Sequence, residues 1–272
     1  MPDELFSVSD KVVVITGGLG QLGRQFGVAL ADRGARVAVF DHDVEARRVA
    51  ERFGTRQADQ RFLFLHADVT RHDSIAAGLR RVNEAWGQVH ALINCAALDA
   101  SPHASAQENG PFERYPQRAW ERVMEVNVTG AFLCCQVIGA HMAEAGGGSI
   151  INISSIYGMV SPDQRLYEFR RQHGEAFFKP VAYAASKSAL MNLTRYLATY
   201  WAGKRVRVNT LSVGGVLNGQ AEAFVLAYSA RVPLGRMARE EEYNGAILFL
   251  VSDASSYMTG SNLVIDGGWT AW

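Results

Sequence analysis

The sequence predicts one doubly wound α/β domain, with about seven parallel strands and helices on both faces. Three observations lead there. Short continuous apolar runs of strand length alternate with stretches of helical periodicity, the pattern of strands buried on both faces. That alternation demands crossover helices, and right-handed crossovers distribute them over both sides of the sheet. No repeat, low-complexity tract or linker divides the 272 residues, a length that one large α/β domain can use.

The elements follow in order. KVVVITGG is the first strand, then the helix QLGRQFGVALADRG, the strand ARVAVFD, the helix VEARRVAERFG, the strand RFLFLHADV, an amphipathic stretch to Trp86 and the strand VHALINCAA. A helix to about Ala145 leads to the strand SIINISS, a helix over 181–202, the strand RVRVNTLSV, a helix near 239–251 and the last strand NLVIDGG. Two segments break the rhythm, 98–117 after the fourth strand and 156–180 after the fifth. Both therefore leave the carboxyl edge of the sheet, where open α/β sheets bind ligands. Long loops in a single domain are usually functional, and the mixed aromatic and charged content of these two argues for order.

Composition removes several classes of function. The 27 acidic and 27 basic residues cancel, so there is no general attraction to nucleic acid or an anionic membrane. The three cysteines, Cys95, Cys134 and Cys135, are odd in number and sit in apolar runs, as expected of reduced core thiols in a cytosolic protein. The start MPDELFSVSD lacks an apolar signal region and no stretch reads as a membrane span, so a cytoplasmic location is expected. The seven histidines form no metal-ligand pair, and no catalytic metal is expected.

The stretch VVVITGGLGQLGRQF joins a strand, a glycine-rich turn and a helix start, with glycines at 17, 18, 20 and 23. Glycines let the backbone approach a pyrophosphate closely, and the helix amino terminus supplies N–H donors. Gly17, Gly20, Gln21, Leu22 and Gly23 are the candidate contacts. Asp41 ends the second strand 18 residues after Gly23, where a carboxylate accepts from adenosine ribose hydroxyls and repels a 2′-phosphate. No arginine or lysine lies between Thr16 and Gly23. The expected cofactor is NAD rather than NADP.

The pattern Tyr-x-x-x-Lys occurs twice, as Tyr183 with Lys187 and as Tyr200 with Lys204. Tyr183 falls in the first turn of a helix that starts at the carboxyl edge of the sheet. Tyr200 lies 17 residues later, about 25 Å along the axis at 1.5 Å per residue, at the opposite edge. The chemistry therefore selects Tyr183. At positions i and i+4 the two side chains share a helix face, so the Lys187 ammonium can stabilise a Tyr183 phenolate. A phenol near pKa 10 is a poor base at neutral pH, and lowering it three units takes about 4 kcal/mol of preferential stabilisation. Lys187 and the charge of oxidised nicotinamide are candidates to supply it.

The motifs TGGLGQLG, Asp68 of HADV, NCAA at 94–97, Asn127 in VNVTGAF, Ser155 in NISS, YAASK and YMTGSNLVIDGG appear in that order. In these residues the chain resembles the short-chain dehydrogenase/reductase family from Lys11 to Trp269. The resemblance implies a Rossmann-type fold, nicotinamide-dependent interconversion of alcohols and ketones, and commonly a homotetramer, with a homodimer as the alternative. It implies that Tyr183 exchanges the substrate hydroxyl proton, that Ser155 hydrogen-bonds the developing alkoxide, and that Asn127 holds a water linking Lys187 to solvent. It also implies adenine contacts from Asp68 and Val69, a cofactor floor at Asn94 and Ala96, and a carboxamide contact at Val216 beside Gly214. The chain departs from the family's pattern at Gln21, Cys95, Ala97 and Val213, backbone-tuning positions that remove no reactive group.

The 28 residues from Ser155 to Tyr183 exceed the family's usual spacing, and the excess carries Asp163, Arg165, Glu168, Arg170, Arg171, His173, Glu175 and Lys179. A polar lid suits a hydroxyl-rich or anionic small molecule. Phrases such as SIYGMVSPDQRLYE and RVPLGRM resemble bacterial sugar and surface-glycan dehydrogenases, including a flagellin-modification group. The leading expectation is an NAD-dependent sugar or polyol dehydrogenase. The alternatives are a 3-oxoacyl-carrier-protein reductase, which Asp41 and the balanced charge oppose, and a non-catalytic NAD-binding module, which the intact Ser155, Tyr183 and Lys187 oppose.

Overall fold

Apolar alternation within each run decides which face of the sheet each residue serves. The computed structural model describes residues 4–99 and 109–272. Seven strands are present: β1 (Val12–Thr16), β2 (Arg36–Asp41), β3 (Phe62–His66), β4 (Ala91–Asn94), β5 (Gly148–Ser155), β6 (Val206–Val213) and β7 (Asn262–Ile265). They form one sheet in the order β3-β2-β1-β4-β5-β6-β7, and every neighbouring pair is parallel. In β1, Val13 and Ile15 enter one core while Val12 and Val14 enter the other, and β2 repeats this with Val37 and Val39 against Ala38 and Phe40.

Helices α1 (Gln21–Ala31) and α8 (Asn244–Val251) cover the first face, through Phe26, Leu30, Ile247 and Leu250. Helices α3 (His72–Trp86), α4 (Gln117–Ala145) and α6 (Val181–Tyr200) cover the second, through Ile75, Val82, Ile138, Met142 and Leu197. The short α2 (Ala46–Phe53) follows β2, α5 (Glu168–Gln172) lies in the lid segment, and α7 (Glu222–Ser229) follows β6. Among the described residues α4 alone is long and apolar enough to cross a membrane. Here its buried residues Cys134, Ile138 and Met142 belong to the second core. Two π turns, Glu125–Thr129 and Cys135–Gly139, interrupt it, a form of irregularity that concentrates at functional sites.

Several boundaries differ from those expected. The first, third, fourth and last predicted strands overran their ladders at the carboxyl end; after the fourth the backbone bonds to a side chain instead, the amides of Cys95 and Ala96 donating to the Thr16 hydroxyl at 3.1 and 3.2 Å. Helix α6 ends at Tyr200, and the chain reverses at Arg205, with φ 58°, rather than at Gly203. The segment expected near 239–251 opens with a 3-10 turn, Glu240–Tyr243, whose start is tied by Arg239 N–H donating to Glu242 at 2.8 Å. The cysteines are free thiols as expected, two buried and Cys95 partly so. Burial pushes Cys95 up to about 11 and Cys135 up to about 12. Of the expected insertion at 98–117, residues 100–108 lie outside the described residues.

A dry polar ladder crosses the second face beneath α6. Asn94 donates to Asn152 at 2.8 Å, Asn152 donates to Thr194 at 2.8 Å, and Thr210 donates to Thr194 at 2.8 Å. Thr194 is 1% exposed, so losing its hydroxyl strands two donors away from bulk solvent. Thr194→Val, nearly equal in volume, should therefore destabilise the fold by about 1–3 kcal/mol in urea unfolding. A loss below about 0.5 kcal/mol, the range of a neutral surface change, would contradict this.

Candidate active site

The glycine-rich turn is a cradle that side chains would fill. Gly17 has φ +62°, and a Cβ there would lie 2.7 Å from Ala96 Cα; a Cβ on Gly18 would lie 2.8 Å from Val39 Cγ1. Gly23 faces the Gly17 carbonyl more closely still. The turn is held open by its neighbours: Leu19 N–H donates to Asp41 Oδ2 at 3.0 Å and Arg52 Nε donates to Leu19 O at 2.8 Å. Gly20 caps α1 in extended conformation with no side-chain bond to the helix amides, leaving those donors directed at the cleft. This bare loop, followed by a helix amino terminus, fits a dinucleotide pyrophosphate. Gln21 crosses the cleft to donate to Leu217 O at 2.9 Å.

The other expected cofactor residues are distributed around that cleft. Burial pushes the Asp68 carboxyl up, but bonds from the Thr70 hydroxyl at 2.7 Å and amide at 2.9 Å, with Arg71 nearby, hold it below its usual value. Val69 packs against Gly130 of α4. Ala96 presses on Gly17, and Gly214 lies so close to Asp266 that a Cβ would meet its Cα at 2.9 Å. Leu22, Gly214 and Val216 line a shared cavity with Gln21. The Asn94 side-chain amide turns into the polar ladder, and the residue is 5% exposed.

At the carboxyl edge the catalytic candidates converge because α6 is stitched to β5. Lys187 Nζ donates to Ile153 O at 2.8 Å, and Ser154 Oγ donates to Lys187 O at 2.8 Å. Gly158 permits this approach, since a Cβ there would meet Lys187 carbonyl atoms at 2.8 Å. Ser155, 6% exposed at the end of β5, accepts from Tyr157 N–H at 3.2 Å and lines the same cavity as the Tyr183 phenol. Tyr183 stands in the first turn of α6, where the helix dipole favours an anion. Burial pushes its phenol well above the usual tyrosine value, Asp99 adds to that push, and the nearby Ser155 hydroxyl opposes it. Burial pulls Lys187, 4% exposed, downward.

Two ammonium groups flank the Tyr183 ring. Lys187 Nζ is 5.6 Å from its centroid and Lys179 Nζ is 4.7 Å away. Lys179 was legible only as one lid charge, although KPVAYAASK places it four residues before Tyr183 as Lys187 stands four after. Tyr200, by contrast, is 67% exposed and stacks on Tyr196. Asn127, 1% exposed in the first π turn of α4, donates to Leu98 O at 3.0 Å and Ser186 Oγ at 2.9 Å, and accepts from Leu98 N–H at 2.7 Å. Its side chain thus joins the loop after β4 to α6 and makes no contact with Lys187.

These groups face a cavity of about 790 Å³. Ser155 and Tyr183 form one wall, the 156–180 lid supplies Tyr167, Arg170, His173 and Lys179, and the segment after β6 supplies Phe224 and Tyr228. Tyr157, Tyr167, Phe177 and Tyr228 line the cavity and pack with Trp269 as one apolar cluster. A proton-transfer pair beside a dinucleotide cradle, under an aromatic and charged lid, is equipped for redox exchange at a carbon bearing oxygen.

Comparison with known proteins agrees with this geometry. A family model described as enoyl-(acyl carrier protein) reductase matches residues 20–270. The chain is 35% identical to cis-4-hydroxycyclohexanecarboxylate dehydrogenase of Sinomonas cyclohexanicum over 97% of its length and 98% of the relative's. It is 32% identical to an NAD-dependent glycerol dehydrogenase of Listeria innocua, covering 98% and 97% of the two chains. A short-chain dehydrogenase from Leptospira borgpetersenii, solved with bound NAD+, superposes with a TM-score of 0.84 at 32% identity, over 99% of this chain and 96% of that one. With the glycine cradle, the seven-strand parallel sheet and the Ser155–Tyr183–Lys187 cluster in one chain, these matches show that it belongs to the short-chain dehydrogenase/reductase family.

Proposed function

We propose that the protein is an NAD-dependent oxidoreductase interconverting a secondary alcohol and a ketone on a polar, polyol- or sugar-like small molecule, with Tyr183 as general acid and base. One observation carries this reading: Tyr183 and Ser155 line one cavity, with two lysine ammonium groups within 6 Å of the Tyr183 ring. Bound NAD would supply the electron-pair acceptor in oxidation and the donor in reduction. Gly17, Gly18, Gly20 and the start of α1 would hold its pyrophosphate. Asp41 carries no basic partner in the turn and would take ribose hydroxyls while opposing a 2′-phosphate. The NAD-dependent and NAD-bound relatives support the same choice.

In oxidation, Tyr183 takes the carbinol proton while Ser155 holds the oxygen that loses it. In reduction the phenol returns that proton. Lys187, fixed by Ile153 O, favours the phenolate. Because the side chain of Asn127 is committed to Leu98 and Ser186, the water relay implied by resemblance falls to its main-chain carbonyl. The glycerol dehydrogenase and the ring hydroxy-acid dehydrogenase support an alcohol substrate. A sugar or surface-glycan alcohol fits the same reading. An acyl chain fits less well, since it would lie against Asp99, His173 and Glu175. The homotetramer implied by family would cover the stacked Tyr196 and Tyr200, 62% and 67% exposed.

The sign of the pH dependence follows from Tyr183. Burial and Asp99 keep the phenol protonated, so reduction has its acid in place at neutral pH and oxidation must wait for deprotonation. Oxidative kcat/KM should therefore still be climbing on the alkaline side of neutrality, as the phenol loses its proton, while the reductive value stays nearly level there. Ser155→Ala removes a downward pull and should move the alkaline rise to higher pH; an unmoved rise would contradict an influence of Ser155 on the phenol. Tyr183→Phe should cost about 10²–10⁴-fold in kcat with NAD+ on a polyol panel. Undiminished turnover would remove Tyr183 from the mechanism, and a strong preference for NADP+ would remove the role given to Asp41.

A further inference from the structure

The two segments that broke the α/β rhythm meet beside the catalytic tyrosine. Asp99, from the loop after β4, receives Lys179 Nζ on both carboxylate oxygens, at 2.5 and 2.6 Å. Lys179 ends the lid, its side chain is 9% exposed, and its ammonium lies 4.7 Å from the Tyr183 ring centroid. Its backbone is fixed on both sides: Lys179 N–H donates to Gln164 Oε1 at 2.8 Å, and Gln164 Nε2 donates back to Lys179 O at 3.1 Å. Pro180 then opens α6. Phe178 N–H also donates to Asn109 O at 2.6 Å, so the lid is fastened to the other insertion at two adjacent residues.

We propose that the Asp99–Lys179 ion pair is a specificity device that recognises a second hydroxyl on the carbon next to the reacting carbinol, making vicinal diols the substrate class. This rests on the alcohol oxidoreductase reading above. Both residues line the same cavity as Ser155 and Tyr183, so a substrate whose carbinol sits between those two hydroxyls presents its neighbouring carbon to the pair. A hydroxyl can donate to a carboxylate and accept from an ammonium at once. A substrate carboxylate only accepts, and would bring like charge against Asp99. A hydrocarbon does neither and would desolvate the pair without replacing its water. An ammonium has three donors and a carboxylate about four acceptor positions, so the pair can bind a hydroxyl without breaking.

The ion pair, with Lys179 buried and Asp99 42% exposed, could instead serve only to close the lid. That role would affect every substrate alike, whereas recognition of a hydroxyl changes the ratio between a diol and its mono-ol. The experiment measures kcat/KM with NAD+ for cyclohexane-1,2-diol against cyclohexanol, and for butane-2,3-diol against butan-2-ol, with 3-hydroxybutyrate as the anionic probe. The wild-type protein, Asp99→Asn and Lys179→Gln are compared, together with the double variant, which leaves no unpaired charge. NAD+ affinity, read from tryptophan fluorescence, verifies that each is folded. The wild type should favour the diols, and each variant should lower the diol-to-mono-ol ratio by about 10- to 100-fold, the worth of a hydrogen bond to a charged group.

If a single variant does not fold, the double variant reads the same ratio. Variants that lower both members of each couple in parallel, or a wild type that prefers 3-hydroxybutyrate to the diols, overturn the proposal and leave the oxidoreductase reading intact. A wild type that oxidises none of the alcohols with NAD+ overturns that reading, and the proposal with it.

Discussion

The attachment of α6 to the end of β5 is the constraint on which the site depends. A lysine ammonium buried to 4% exposure must find partners, and Lys187 donates to the Ile153 carbonyl while its own carbonyl accepts from Ser154. Those two bonds fix the rotation of the helix about its axis. One turn earlier on the same face, Tyr183 is thereby brought to Ser155, two residues beyond Ile153. Gly158 makes the contact sterically possible, and Ser188 reinforces it by donating to Gly158 O at 2.6 Å. The same arrangement that specifies the fold at this edge places the groups of the proposed proton transfer.

The fold was legible because parallel strands buried on both faces leave unmistakable apolar runs, and all seven appear in the sheet. The positions of the glycine turn, Asp41, Ser155 and Tyr183 were legible because each stands at a strand end or first helical turn whose position the strand–helix rhythm fixes, and Lys187 follows one turn after Tyr183. Rejecting Tyr200 needed only the length of a helix. Strand ends were less legible, since side chains such as Thr16 replace ladder partners there, and no periodicity records that exchange.

What the sequence concealed are contacts between distant segments. Asn94 and Asn127 have polar side chains committed to the interior, to Asn152 in one case and to Leu98 and Ser186 in the other, and nothing local distinguishes such a residue from one facing a ligand. Asp99 and Lys179 are 80 positions apart and belong to irregular segments, where no repeat predicts proximity. Only the spacing of Lys179 from Tyr183 offered a signal. It resembled any lid charge until the ammonium was found over the phenol ring.

The central claim is that the Tyr183 phenol, raised by burial and by Asp99, is brought within working range by cations beside it. The most direct measurement is an ultraviolet difference titration, wild type minus Tyr183→Phe, with and without NAD+, repeated in a Lys187→Met background. The account predicts that NAD+ lowers the pH at which this one phenol ionises, and that loss of Lys187 raises it in the complex. A phenol that ionises at the same pH in all four states would contradict the account.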